Sequence, residues 1–224
     1  MKSVVWVSLS LAACLRERTP APPPKPVPPA PYRVTAIVGA ARIEGVIALA
    51  DSAAMTDVIV WIDGVRSGKP IPLARRYELD HQNSGLVPRV QAALRGGMLN
   101  VRNADDSTHR ARFMLAGEEG AADSLLDTVE ESGAGQVVPA PAPLARAGLV
   151  KVTCDLHPAT RGWIRVFDQP YFTMPDSVGR FAFDSVPPGA WTLRAWSPLL
   201  GETEREIVVD SAGSAYFEIR LPPS

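Results

Sequence analysis

The chain has 224 residues, with 23 Lys and Arg against 24 Asp and Glu and a formal net charge of −1. The positive charges form no cluster, which excludes the basic footprint that a nucleic-acid partner requires. With only two cysteines and three histidines, the positions of these five residues carry more chemical information than any bulk property.

Residues 1–14 read as a secretory leader: Lys2, an apolar run from Val4 to Ala13, then Leu11-Ala12-Ala13-Cys14. The run is shorter than the roughly 20 residues a spanning helix needs. Small residues directly before a cysteine resemble the lipobox of bacterial lipoproteins. That resemblance implies lipidation of Cys14 and attachment to a membrane through the lipid, each buried methylene contributing ~0.8 kcal/mol. The alternative is a plain secretory signal cleaved nearby. Both place the mature chain in the cell envelope, periplasmic or at an outer membrane, and Leu15 after the anchor cysteine favours outer-membrane sorting. Within residues 15–31, Thr19 to Pro31 (TPAPPPKPVPPAP) is a proline-rich linker whose fixed φ and missing donors make it a stiff spacer.

Past the linker, helical periodicity is missing. Short runs rich in Val, Ile, Phe, Tyr and Trp are separated by Gly, Pro, Asp and Asn. Strands are predicted over 33–38, 43–49, 57–63, 74–80, 89–93, 98–102, 109–115, 149–153, 162–167, 180–183, 190–195, 204–209 and 215–221. Turns fall at Asp63-Gly64, Ser177-Val178-Gly179 and Val186-Pro187-Pro188-Gly189. The fold class is all-β, of sandwich type. Gly117 to Gly135 breaks the rhythm with Glu118, Glu119, Asp123, Asp127, Glu130 and Glu131 and no basic residue. It reads as a solvated surface loop with one helical turn over Ser124 to Val129, or else as a docking patch for a basic partner.

The sharpest chemical signal is Cys154-Asp155-Leu156-His157-Pro158, which closes the apolar run Gly148 to Thr153. Soft sulfur beside imidazole nitrogen suits copper or zinc. Because Cys14 belongs to the leader, Cys154 has no partner for an internal disulfide. A buried small hydrophobe and two satisfied loop histidines are the bland alternative. Two further patterns accompany the motif: Asn103-Ala104-Asp105-Asp106-Ser107-Thr108-His109 before it and Gly162-Trp163-Ile164-Arg165-Val166 after it.

Together these three patterns resemble the cupredoxin, or blue-copper, family, more narrowly envelope plastocyanin-like proteins of the methylamine-utilisation kind. The likeness runs from about Ala74 to Phe167. It implies an eight-strand Greek-key sandwich with copper at one end and a role in electron transfer. By this resemblance His109, Cys154 and His157 are the metal ligands, and Asn103 and Asp105 brace the first ligand loop. The family's axial methionine falls where this chain has Ala159-Thr160-Arg161, so Thr160 occupies the weak axial position. Neither Met114, read as a core-facing strand residue, nor Met174 is placed to replace it. Arg110 and Arg161 add positive potential beside the ligand loops. Zinc is a lesser candidate, since a closed zinc site wants four protein ligands and three are visible. His81 reads as a strand-end surface residue.

A second resemblance covers the flanks. Asp176-Ser177-Val178-Gly179-Arg180-Phe181-Ala182-Phe183 and Val186-Pro187-Pro188-Gly189-Ala190-Trp191-Thr192-Leu193 are similar to transthyretin-like, or carboxypeptidase-regulatory, modules. Glu44-Gly45-Val46-Ile47 and Val58-Ile59-Val60-Trp61-Ile62 match their opening strands. This implies a transthyretin-like β-sandwich from residues 32–72 and 168–224, interrupted by a cupredoxin-like domain over 73–167. The simpler arrangement is two consecutive sandwiches split near 167. Trp163, Trp191 and Trp196 are expected in cores.

No nucleophile–base string, His-Glu-x-x-His pair or phosphate loop occurs, so the chain is not expected to be an enzyme. Two functions of different class remain. One is a lipid-anchored cupredoxin-like protein carrying electrons or copper to a redox or envelope protein partner. The other is a metal-free structural or ligand-binding lipoprotein whose copper site has degenerated.

Overall fold

The computed structural model describes residues 30–49, 52–72, 75–82, 85–117 and 121–221. The leader with Cys14 and nearly all of the linker lie outside them. Among the described residues the regular structure is strands and two short 3-10 turns, Ser52–Asp57 and Ala142–Leu144.

The first strands are β1 (Arg33–Val34), β2 (Ala41–Ala48), β3 (Ile59–Asp63) and β4 (Ser67–Gly68). The middle of the chain forms β5 (Arg76–Gln82), β6 (Gly85–Val87), β7 (Val90–Leu94), β8 (Met98–Asn103), β9 (His109–Leu115), β10 (Ser124–Glu131), β11 (Val137–Pro139), β12 (Gly148–Cys154) and β13 (Arg161–Phe167). The last are β14 (Phe172–Thr173), β15 (Arg180–Val186), β16 (Gly189–Ser197), β17 (Gly201–Val209) and β18 (Ser214–Arg220).

The middle strands build two sheets, β11-β8-β5-β6 and β10-β9-β12-β13-β7. Alternate residues of both point inward, as the two-residue period of a strand dictates. Leu79, Leu99 and Val101 from one sheet meet Ala111, Phe113, Val150, Val152, Ile164 and Val166 from the other, all buried. Phe113 is fully enclosed, a burial that stabilises by about 1.5–3 kcal/mol.

Strands from the two ends of the chain share another pair of sheets, β14-β3-β16-β17 and β15-β2-β18. β3 pairs antiparallel with β16, from Asp63 opposite Thr192 to Ile59 opposite Trp196. β2 lies between β15 and the parallel β18. Gly45 sits at that crowded centre, where a β-carbon would come within 2.3 Å of the Phe217 carbonyl oxygen. Ile43, Ile47, Val60, Ile62, Phe181, Phe183 and Leu193 fill this second core. A third cluster of Ile59, Trp61, Val90, Leu94, Phe167 and Trp196 joins residues of both sandwiches. Trp163 packs against it and Trp191 against the second core, each half-buried.

Residues 124–131 correct the expected loop and helical turn: they form β10, which pairs antiparallel with β9. Acidic residues have low strand propensity, but tertiary pairing overrides it. Glu130 lies opposite Arg110 and bonds it at 2.7 Å, and Asp123 pairs with Lys151 at 2.8 Å. The strand and the residue before it thus place acids against cations of β9 and β12.

Candidate metal centre

One end of the first sandwich buries a set of polar side chains. His109 opens β9 and Cys154 closes the antiparallel neighbour β12, with Cys154 directly opposite Ala111. Opposed residues share a face, and so do residues two apart on one strand. His109, Ala111 and Cys154 therefore all point into the core, with His109 fully buried and Cys154 4% exposed. By the same rule Glu131, opposite His109 on β10, enters the same space and is fully buried. From the facing sheet come Asn103 at the end of β8 and His81 in register with it on β5, both fully buried.

Asn103 ties the segments together. Its Nδ2 donates to the Ser107 carbonyl at 2.6 Å and the Glu131 carbonyl at 3.2 Å, while its Oδ1 accepts the Asp105 N–H at 3.0 Å. Asp105 Oδ1 accepts the Ser107 N–H at 2.8 Å and lies 3.0 Å from His109 Nε2. These Asx-type bonds shape the loop before β9. They also orient the imidazole: with Nε2 against the carboxylate, Nδ1 is turned toward the cluster.

The third residue arrives on the loop from Asp155 to Thr160, which the Asp155 N–H ties to the Arg110 carbonyl and the Thr160 N–H closes on the His157 carbonyl at 2.9 Å. His157 Nδ1 stands 3.1 Å from His109 Nδ1 and 3.5 Å from Cys154 Sγ. The Arg110 N–H points at the same sulfur at 3.4 Å. His157 is half-buried between the exposed Leu156 and Pro158, so its edge is the part of the cluster nearest the surface.

His109, Cys154 and His157 thus lie together, with Asn103 and Asp105 around the first of them. Thr160 is 1% exposed at the end of the loop. Met174 packs on the aromatic cluster shared by the two sandwiches. Met114 corrects the expected core-facing placement: the face of β9 set by His109, Ala111 and Phe113 leaves it on the other side, half-buried. The positive potential expected from Arg110 is offset by Glu130, whose hydrogen bond holds the guanidinium above its ordinary value. Arg161 Nη1 donates to the carbonyls of Pro158 and Thr160 at 2.5 and 2.8 Å.

His81 requires the largest correction. Expected at the surface, it is fully buried, with Nδ1 2.5 Å from Glu131 Oε2 and its ring stacked on that of His109, centroids 4.3 Å apart and planes within 5°. A ring nitrogen of His81, one of His109 and the Cys154 sulfur lie within 4.8 Å of one another. The signal for His81 was its spacing two residues from buried Leu79, and for Glu131 its spacing two from buried Val129. Both alternations were present in the sequence. Their polarity disguised them.

No protein-family model matches the chain, and no curated protein matches it. Among solved structures it is similar to the amicyanin of Paracoccus versutus, at 16% identity over 43% of this chain and 85% of that one, with a TM-score of 0.34. A purple cupredoxin of Nitrosopumilus maritimus gives 14% identity over 41% of this chain and 99% of that one, TM-score 0.31. A copper-containing nitrite reductase of Thermus scotoductus gives 18% identity over 56% of this chain and 28% of that one, TM-score 0.32.

Proposed function

We propose that the chain is a lipid-anchored envelope protein that binds one copper ion through His109 Nδ1, Cys154 Sγ and His157 Nδ1, and that it carries electrons or copper to a protein partner. The observation that carries this reading is the spacing of the three donors, 3.1 Å between the imidazole nitrogens and 3.5 Å from nitrogen to sulfur. A first-row ion bonded at ~2.0–2.3 Å needs donor pairs roughly 3–4 Å apart. Two imidazoles and a thiolate around one ion are the trigonal set that suits copper.

The protein's own contributions follow from the contacts. Asp105 fixes the orientation of His109 and makes it a better donor. The Arg110 N–H moderates charge on the sulfur. β9 and β12 hold two donors on adjacent paired strands, so their separation resists change, and bound copper would supply one-electron transfer with little rearrangement. The half-buried His157 edge, framed by Leu156 and Pro158, suits contact with a redox partner. In this reading the chain is not an enzyme. Residues 73–167 form the metal-carrying domain, inserted into a sandwich of 32–72 and 168–224, a division supported by the β3–β16 and β2–β18 pairings.

Titrating purified protein with Cu(II) tests the site: an intense thiolate-to-copper charge-transfer band is expected, and Cys154→Ser should abolish it. A wild-type protein with no such band would leave the metal-free scaffold, the reading that the buried Thr160 favours. Cys14→Ser should move the protein from the membrane to the soluble fraction, and an unchanged distribution would refute the anchor.

A further inference from the structure

The trigonal set leaves one buried donor unused. His81 Nε2 and Glu131 Oε1 are enclosed, and neither has a hydrogen-bond partner. Orphaned polar atoms in a core are uncommon and costly, and two in one dyad point to something that the dyad receives. Resting on the copper reading above, we propose that His81 Nε2 is the axial donor of the metal centre, held in place by Glu131, so that the site is three imidazoles and one thiolate.

Three features of this chain support that assignment. Glu131 engages His81 Nδ1 at 2.5 Å, which fixes the ring and leaves Nε2 as its free nitrogen. A carboxylate on the far nitrogen of a metal-bound imidazole is the usual outer partner of such a ligand. His81 lies beside two of the three proposed donors, since a ligand atom of its ring, one of His109 and the sulfur fall within 4.8 Å of one another, a group that does not include His157. The two rings are stacked within 5° of parallel, so His81 Nε2 would reach an ion shared with His109 once its ring turns out of the stack. Finally, Thr160 supplies no thioether, which leaves the axial position without its customary donor. The buried carboxylate also offsets part of the ion's charge.

An axial nitrogen binds Cu(II) more strongly than a thioether does, so it weakens the copper–sulfur bond and lowers the reduction potential. X-ray absorption on the Cu(II)-loaded full-length protein counts imidazoles without any substitution. Three are expected, and two would overturn the proposal. Glu131→Gln should weaken Cu(II) binding by about 10–100-fold. Replacing both His81 and Glu131 by Leu keeps the core apolar and leaves no orphan; it should preserve the thiolate band while shifting its energy and raising the potential. An unchanged band and potential in that variant would also overturn the proposal. The failures are separable: a protein with no thiolate band refutes copper ligation and His81 with it, whereas a Cys154-dependent band with two imidazoles removes only His81.

Discussion

Both sandwiches bury alternating aliphatic residues between two sheets, but they treat buried polar groups differently. In the second, Gln169 is enclosed and bonded: its Nε2 donates to the Ile62 carbonyl at 3.2 Å, and its Oε1 accepts the Tyr171 N–H at 2.5 Å. Tyr171 in turn donates its hydroxyl to the Ser185 carbonyl at 3.0 Å. These contacts satisfy donors and acceptors and fix a loop. At the end of the first sandwich, His81, His109, Glu131 and Asn103 are all fully buried, and the His81–Glu131 dyad still has an atom open on each partner. A polar group inside a core costs free energy unless it is paired. The comparison teaches that the enclosed Gln169 of the second sandwich is paired and structural, whereas the His81–Glu131 dyad of the first leaves two buried polar atoms without a partner.

The largest effects come from breaking the two cores separately. Phe113→Ala should cost about 3–5 kcal/mol and Leu193→Ala about 2–5 kcal/mol, measured by urea denaturation. If the sandwiches unfold as separate units, each substitution lowers only its own transition. If the shared Trp61–Phe167–Trp196 cluster couples them, both lower a single one.

Next is the dyad. Glu131→Ala leaves His81 Nδ1 without its partner and should cost about 1–3 kcal/mol in metal-free protein, while changing His81 and Glu131 together to Leu should be nearly neutral or stabilising. A double variant as unstable as the single one would show that the pair is structural, like Gln169, and would erase the contrast. Smaller still, Tyr171→Phe should cost about 1 kcal/mol, the ordinary net value of one hydrogen bond.

The smallest effect depends on pH. The Lys151 hydrogen bond and the Gly117 N–H hold the Asp123 carboxyl below the usual carboxylate range. Its folded value is the lower one, so its contribution is present above the unfolded value of about 3.9 and fades as pH falls through the folded value. Lys151→Met should slightly flatten stability against pH on the acid side. An unchanged acid limb would show that solvent screens the pair completely.

The residues divide in an instructive way. The all-β class, the turn positions and the apolar period of two follow from local chemistry, because β-branched and aromatic residues alternate and Gly, Pro and Asn interrupt them. The Cys154–His157 motif and the Asn103–His109 loop were legible for the same reason: both segments are short, and their spacing survives in one dimension. β10 was not legible, since an acid such as Glu130 suits a strand only when Arg110 stands opposite on β9 to meet it. Nor was the placement of His81, which a histidine's own polarity argues against.

Composition and spacing alone therefore settled that the chain makes sandwiches and that sulfur and imidazole fall close together near residue 154. Only the tertiary structure decided that His109, 45 residues before Cys154, faces His157 at 3.1 Å, and that His81 and Glu131 share the same buried space. The reason is physical: strand register fixes which residues share a face, and it is set by pairing between distant segments rather than by any residue's own preference.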